Sequence, residues 1–308
     1  MIGTPMTLRS LGSIFGKAVA GWWNDNVPRL GASLAYYTLF GLAPILIIAI
    51  AIGGLVFGEE AVRGQIVGQI QGLIGREGAL AVQAMLEGAA KPSSSVTATV
   101  VGGITFFLGA TGSFLELQTS LNAIWRVKPK PGGNFLRMLV LQRLISFGLV
   151  VALGFLLLTS LLVSTALSAI HTYMGHAFPG VLVLWEGLNV VVSLSVITLL
   201  FALIYKVLPD VRLAWRDVWV GALVTAGLFT IGKLLIGLYL GTTSVASTYG
   251  AAGSVVVILV WVYYSAQVIL LGAEFTREYV EAFGRRPPPE HFAATDASGP
   301  SASLPPGG

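Results

Sequence analysis

The sequence predicts an all-α fold: a polytopic membrane helical bundle of six transmembrane helices, with an N-terminal interfacial helix and amphipathic external helices. Three observations predict it. Only 10% of the 308 residues are charged and 55% are hydrophobic, against about 25% charged in a soluble domain. Mean hydropathy is +0.82. Six stretches, 34–57, 97–121, 139–165, 181–205, 217–240 and 249–273, are apolar over the length that a bilayer core demands, which is about 20 residues per helix. So few charges cannot solvate a soluble chain of 32.4 kDa, which excludes a cytosolic enzyme and a disordered chain. The absence of Cys excludes a disulfide scaffold, a thiolate nucleophile and a thiolate metal site. The 38 glycines suit closely packed membrane helices.

Residues 1–33 form a cytoplasmic N-terminal segment. Leu8, Leu11, Phe15, Ala18 and Trp22 recur at helical spacing, with Arg9 and Lys17 off the stripe. This predicts an amphipathic helix that either lies on the membrane surface or packs on the bundle. Lys17 interrupts its apolar part, so no cleavable leader is expected. Asp25 is placed to cap the next helix or to pair with Arg29. The membrane domain spans 34–273. Its first span is free of charge from Leu30 to Gly58 and contains Pro44, which removes a backbone donor and predicts a kink. The external loop 58–96 carries a helical stripe of Val62, Ile66, Ile70 and Leu73, with a second short helix expected at 79–90. It reads as a cap on the bundle or as a substrate-gathering lid. A short segment, 171–179, separates the third and fourth spans. The tail 274–308 holds RRPPPEHFAATDASGPSASLPPGG from Gly284 onward, a composition that cannot bury a core and predicts mostly disorder.

Basic residues set the orientation. Fourteen of the 18 fall in the N-terminal segment, the loop after span two counted into the start of span three, the loop after span four, and the tail. Arg63, Arg76 and Lys91 lie in the opposite loop, and Lys233 lies within a span. The bias alternates loop by loop, so both termini are expected in the cytoplasm. Trp22, Trp23, Trp125, Trp185, Trp215 and Trp219 fall near predicted span ends, as interfacial aromatic belts do.

Charged side chains inside a bilayer are costly and need a partner or a function. Glu116 and Arg143 lie at similar depth in spans two and three, and Glu186 and Lys233 toward the outer ends of spans four and five. Each pair is open to two readings: structural glue, or a polar pathway in which the cations engage an anionic headgroup. Tyr36, Tyr37, Thr38, Asn122, Asn189, Tyr249, Tyr263, Tyr264 and Gln267 should face the bundle interior or a cavity, because lipid offers no hydrogen bonds. Trp261, Tyr264 and Val268 share one helical face, either a packing seam or one wall of an amphipathic groove. Gly109 with Ser113, and Gly237 with Gly241, have the spacing of close helix contacts.

Three stretches carry a family resemblance: NDNVPRLGASLAYYTLFGLAPILII at 24–48, LELQTSLNAIWRV at 115–127 and STYGAAGSVVVILVWVYYSAQVILLGAEFTREY at 247–279. Together they resemble the YihY/BrkB family of bacterial inner-membrane proteins over residues 10–283. The resemblance implies a polytopic protein of the cytoplasmic membrane, with some members linked to export of lipid or lipopolysaccharide precursors. The family's historical label, ribonuclease BN, is disfavoured by the residues. The three histidines, His171, His176 and His291, form no H-x-H-x-D cluster, and no group is placed to activate water.

The sequence therefore predicts a non-enzymatic transporter or exporter of a lipid-like or amphiphilic anionic molecule, with no metal and no cofactor. The alternative is a non-transporting envelope assembly or scaffold protein. Membrane lipids are the expected partners, nucleic acid is not, and a homo-oligomer is compatible with the chain.

Overall fold

The computed structural model describes residues 8–90, 96–129, 148, 182–242, 253–285, 287–290 and 293–295. Seven helices and two short strands are defined among these residues: α1 (Leu8–Asn24), α2 (Val27–Phe57), α3 (Glu59–Ala90), α4 (Val96–Ile124), β1 (Val127–Pro129), α5 (Leu182–Val207), α6 (Trp215–Thr242), α7 (Gly253–Ala282) and β2 (Ala293–Thr295). The architecture is an all-α bundle. Among the described residues, four stretches are long and apolar enough to cross a membrane: Val27–Leu55, Val190–Val207, Trp215–Ile236 and Val255–Ala282. The predicted third span, 139–165, and the segment 171–179 lie outside the described residues.

α2 starts seven residues before the expected 34, because Pro28 occupies the first turn, where its missing N–H costs nothing. It runs unbroken across Pro44 to Phe57. The loop expected to hold two helices is instead one 32-residue helix, α3, docked on α2, α6 and α7. Val62, Val82 and Leu86 are buried in that contact, and Ile66 and Ile70 pack beside them. Gln65, Gln69 and Gln71 face out. The Leu73 side chain lies outside the described set. One continuous apolar seam along a neighbour is enough to hold a long helix of low intrinsic amphipathicity.

α1 packs on α7. Ile14 and Ala18 are buried and Leu11 and Trp22 pack against the core. The docking face is thus turned about one position from the predicted stripe, and Phe15 is left at the rim, 6.5 Å from the Phe275 ring. α7 runs nine residues past its predicted end at 273 because its last turns are not solvated: Glu274, Thr276 and Arg277 are buried.

The core has two parts. One, around Leu121, Ile124, Phe201, Tyr205, Leu213 and Leu270, sits where α2 begins and α4, α5 and α7 end. This end carries nearly all the buried charge and is called the polar end below. The other, around Ile50, Val82, Ile236, Ile258 and Trp261, joins α2, α3, α6 and α7 farther along. On α6, Ile231, Leu234, Leu235 and Leu238 are exposed. Such a patch invites aggregation in water and is ordinary against lipid.

α2 and α4 cross at glycine. A Cβ on Gly109 would lie 2.8 Å from the Phe40 carbonyl oxygen, and one on Gly41 would lie 2.6 Å from the Gly109 carbonyl oxygen. Ser113 adds a hydroxyl bond to the Tyr37 carbonyl at 3.0 Å. The predicted Gly109/Ser113 contact is therefore a backbone-to-backbone crossing. Gly109→Val should force the helices apart and cost about 1–3 kcal/mol, read as a lowered melting temperature in detergent. The surroundings of Gly237 and Gly241 lie outside the described set.

The tail departs from expectation. β2 pairs antiparallel with β1, Val127 opposite Thr295. Arg212 N–H donates to the Pro288 carbonyl at 3.0 Å, Glu290 N–H to the Asp210 carbonyl at 2.9 Å, and Arg285 pairs with Asp217. Residues expected to be disordered are held by backbone hydrogen bonds, which composition does not reveal.

Candidate functional site

Two features stand out: a cavity within the bundle, and a buried ionic cluster at the polar end. The cavity has a volume of about 390 Å³ and is walled by α2, α3, α4 and α7. Its lining is almost wholly apolar, with Leu34, Leu42 and Leu46 from α2, Ile70 and Val82 from α3, Phe114 and Leu117 from α4, and Ile258, Trp261 and Ile269 from α7. Thr38, Ser113 and Ser265 are the hydroxyl-bearing members. Two of them turn their hydroxyls onto backbone: Ser265 donates to the Trp261 carbonyl at 2.9 Å and Ser113 to Tyr37. The volume lies within the roughly 300–1,000 Å³ of ligand pockets, and an apolar lining with few polar groups is their usual chemistry.

At the polar end, Arg277 is 4% exposed. Its Nη1 donates to Asp25 Oδ2 and to the Ile124 carbonyl, each at 2.7 Å. Its Nη2 lies 2.8 Å from Glu274 Oε2 and 3.2 Å from Glu278 Oε1. Arg126 approaches Asp25 at 3.8 Å. One guanidinium thus ties the α1–α2 junction, the end of α4 and the end of α7 together. Gly21 lets α1 come this close, since a Cβ there would lie 2.7 Å from Glu274 Oε2. The expected roles of Asp25 give way here: Asn26 holds the N-cap position in a left-handed conformation, and Arg29 is exposed. Sequence reasoning missed this cluster because Arg277 was counted only as an orientation charge. The signal was the Glu274/Arg277 spacing of three, one helical turn, inside the GAEFTREY motif.

A second clamp holds Asp210, in the α5–α6 loop. Asn122 Nδ2 donates to Asp210 Oδ2 at 2.8 Å, Gln118 Nε2 donates to Oδ1 at 3.1 Å, and the Asp210 N–H donates to Asn122 Oδ1 at 2.8 Å. Burial raises the Asp210 pKa, the Asn122 and Gln118 hydrogen bonds oppose that rise, and the Glu290 charge adds to it. Asn122, expected in a pathway, engages Asp210 through both its Nδ2 and its Oδ1.

The other predicted site residues separate into groups. Glu116 accepts the Ser33 hydroxyl across the α2–α4 contact; Arg143, its expected partner, lies outside the described residues. Lys233 is half-buried on α6. Glu186 belongs to α5, but its side chain lies outside the described set, as does that of Asn189, and Tyr249 is outside altogether. Trp261 walls the cavity, with its ring 6.3 Å from Tyr264. The Tyr264 ring lies over Gly232, leaving no room for a side chain there. Gln267 Oε1 accepts the Trp22 indole N–H at 3.0 Å. Tyr36 and Tyr37 correct the expectation that they face inward: both are exposed, and Tyr36 packs on Tyr37 and Phe40 along the outer face of α2. Near a membrane interface an amphipathic ring is stable facing out, which removes the need for an internal partner. Tyr263 is also exposed. No cluster of three or more His, Asp or Glu able to hold a metal occurs among the described residues.

Known proteins resemble this chain in sequence. A family profile described as virulence factor BrkB matches residues 18–296. The UPF0761 membrane protein of Ralstonia nicotianae is 31% identical over 255 residues, covering 81% of this chain and 54% of the relative. That of Psychrobacter sp. is 27% identical over 260 residues, covering 84% and 46%, and that of Pseudoalteromonas translucida is 28% identical over 273 residues, covering 85% and 87%. The chain spans about half the length of the Ralstonia and Psychrobacter relatives. No solved structure matches it. The match over most of the length, the motifs and the apolar helices agree: the chain belongs to the BrkB family and is a membrane protein.

Proposed function

We propose that this protein moves a lipid-like or amphiphilic anionic molecule across the bacterial inner membrane, both termini lying in the cytoplasm, without acting as an enzyme. The cavity carries the reading. An apolar, partly open cavity of about 390 Å³ between membrane helices suits an acyl chain, which enters from lipid without crossing water. A purely structural scaffold gains nothing from such a cavity, whose lining forfeits dispersion contacts. Lys233, half-buried in an apolar span, supports an anionic headgroup, since an intramembrane cation calls for a counter-charge. The polar end gathers Arg126, Arg212, Arg277 and Arg285, which fits a cytoplasmic placement.

The test is a vesicle assay. Purified protein reconstituted with a fluorescent phosphatidylglycerol should move the label between leaflets, read as loss of the fraction protected from an external quencher. Protection equal to that of protein-free vesicles overturns the reading.

A further inference from the structure

We propose that Glu274 is a proton-binding site at the polar end of the bundle. Among the described residues the cluster holds two guanidinium groups, Arg277 and Arg126, against three carboxylates, Asp25, Glu274 and Glu278. A buried cluster with one carboxylate in excess lowers its energy by taking up a proton, because like charges cannot share a low-dielectric site.

The geometry selects the carboxylate. Asp25 accepts a 2.7 Å hydrogen bond from Arg277, faces Arg126 as well, and has a side chain 12% exposed. Glu278 is 17% exposed and accepts from Arg277 at 3.2 Å. Glu274 is fully buried. Its Oε2 lies 2.8 Å from Arg277 Nη2 but out of line for a hydrogen bond, and neither of its oxygens has a hydrogen-bond partner. An ionised carboxylate with unmet acceptors is the costliest state available in such a place, and protonation removes that cost. The facing groups are Arg277 and Glu278 on α7, Asp25 at the α1–α2 junction, Arg126 after α4, and the bare backbone of Gly21 on α1. Asp25 and Glu278, each partly wet, connect the site to water.

The site is also connected inward. Gln267 lies two turns, about 10 Å, back along α7. Its Nε2 is buried without a partner and lies against Gly31 of α2. Its neighbours Ala266 and Ile269 line the cavity. A proton gained or lost at Glu274 therefore changes the charge on the helix that forms one cavity wall. That it drives transport rests on the proposed function; that it binds does not.

Infrared difference spectroscopy of the purified, lipid-reconstituted protein tests the site without any substrate. The wild type should show a protonated-carboxyl carbonyl band at neutral pH that fades as pH rises. Glu274→Gln should lose the band. If that variant does not fold, Glu274→Asp, which keeps an acid beside Arg277, should shift the band's frequency and the pH at which it fades. No band in the wild type, or a band unchanged in either folded variant, overturns the proposal. A failed vesicle assay with the band present counts against transport alone; a missing band counts against the proton site alone.

Discussion

Arg277→Ala is expected to prevent the protein from accumulating in a folded form. The guanidinium pairs with Asp25 and Glu278, lies against Glu274 and bonds to the Ile124 carbonyl while 4% exposed. Without it, Asp25 loses its close partner and Glu274 the cation beside it. Removing one partner of a buried pair costs about 3–5 kcal/mol, a large share of the roughly 5–15 kcal/mol that holds a domain folded. The loss should fall first on α1, whose docking on α7 runs through Gly21 and Asp25. Melting in detergent, followed by size-exclusion chromatography, measures it. Arg277→Lys should be intermediate, keeping the charge without the fork that serves several acceptors. Glu274→Gln should be milder still, since Arg277 keeps Asp25 and Glu278. A wild-type melting temperature in Arg277→Ala contradicts the structural role assigned to the cluster.

The second large effect is on transport. Ser265→Phe should bring label movement down to the protein-free rate while leaving the fold intact. Ser265 lines the cavity and bonds only to its own helix, at the Trp261 carbonyl. Removing its hydroxyl therefore strands no distant partner, and the new ring has void to occupy. Filling a void adds dispersion contacts, so the melting temperature should hold or rise. Lost transport with an unchanged melting temperature separates a blocked site from a broken fold. Undiminished transport shows that the substrate does not use this cavity.

Much of this fold was legible because bilayer length and apolar composition dictate helices almost without regard to context. α2, α4, α5 and α6 match the expected spans, with ends displaced by at most seven residues. What was not legible depended on partners. The continuity of α3 needed the seam offered by α2 and α7. The paired tail needed the backbone of β1, which no side-chain pattern in the tail announces. Tyr36 and Tyr37 were read inward because hydrogen-bond need was taken as decisive, whereas an interfacial ring meets that need facing out. The site was legible in part. Trp261, singled out by its face of the helix, lines the cavity; Glu116, singled out by the cost of intramembrane charge, accepts from Ser33, while its expected partner Arg143 lies outside the described residues. The Arg277 cluster was missed because orientation already accounted for its charge, although an arginine has geometry as well as sign.

Transport of this kind requires the cavity to hold an acyl chain, which photo-crosslinking detects. A benzophenone amino acid in place of Leu117, on the cavity wall, should yield an adduct with an anionic acyl lipid by mass spectrometry. The same probe at Leu235, exposed on α6, reports bulk lipid. Adducts at Leu117 enriched in anionic lipid over those at Leu235 are the predicted result. Lipid adducts at Leu235 with none at Leu117 would contradict the account.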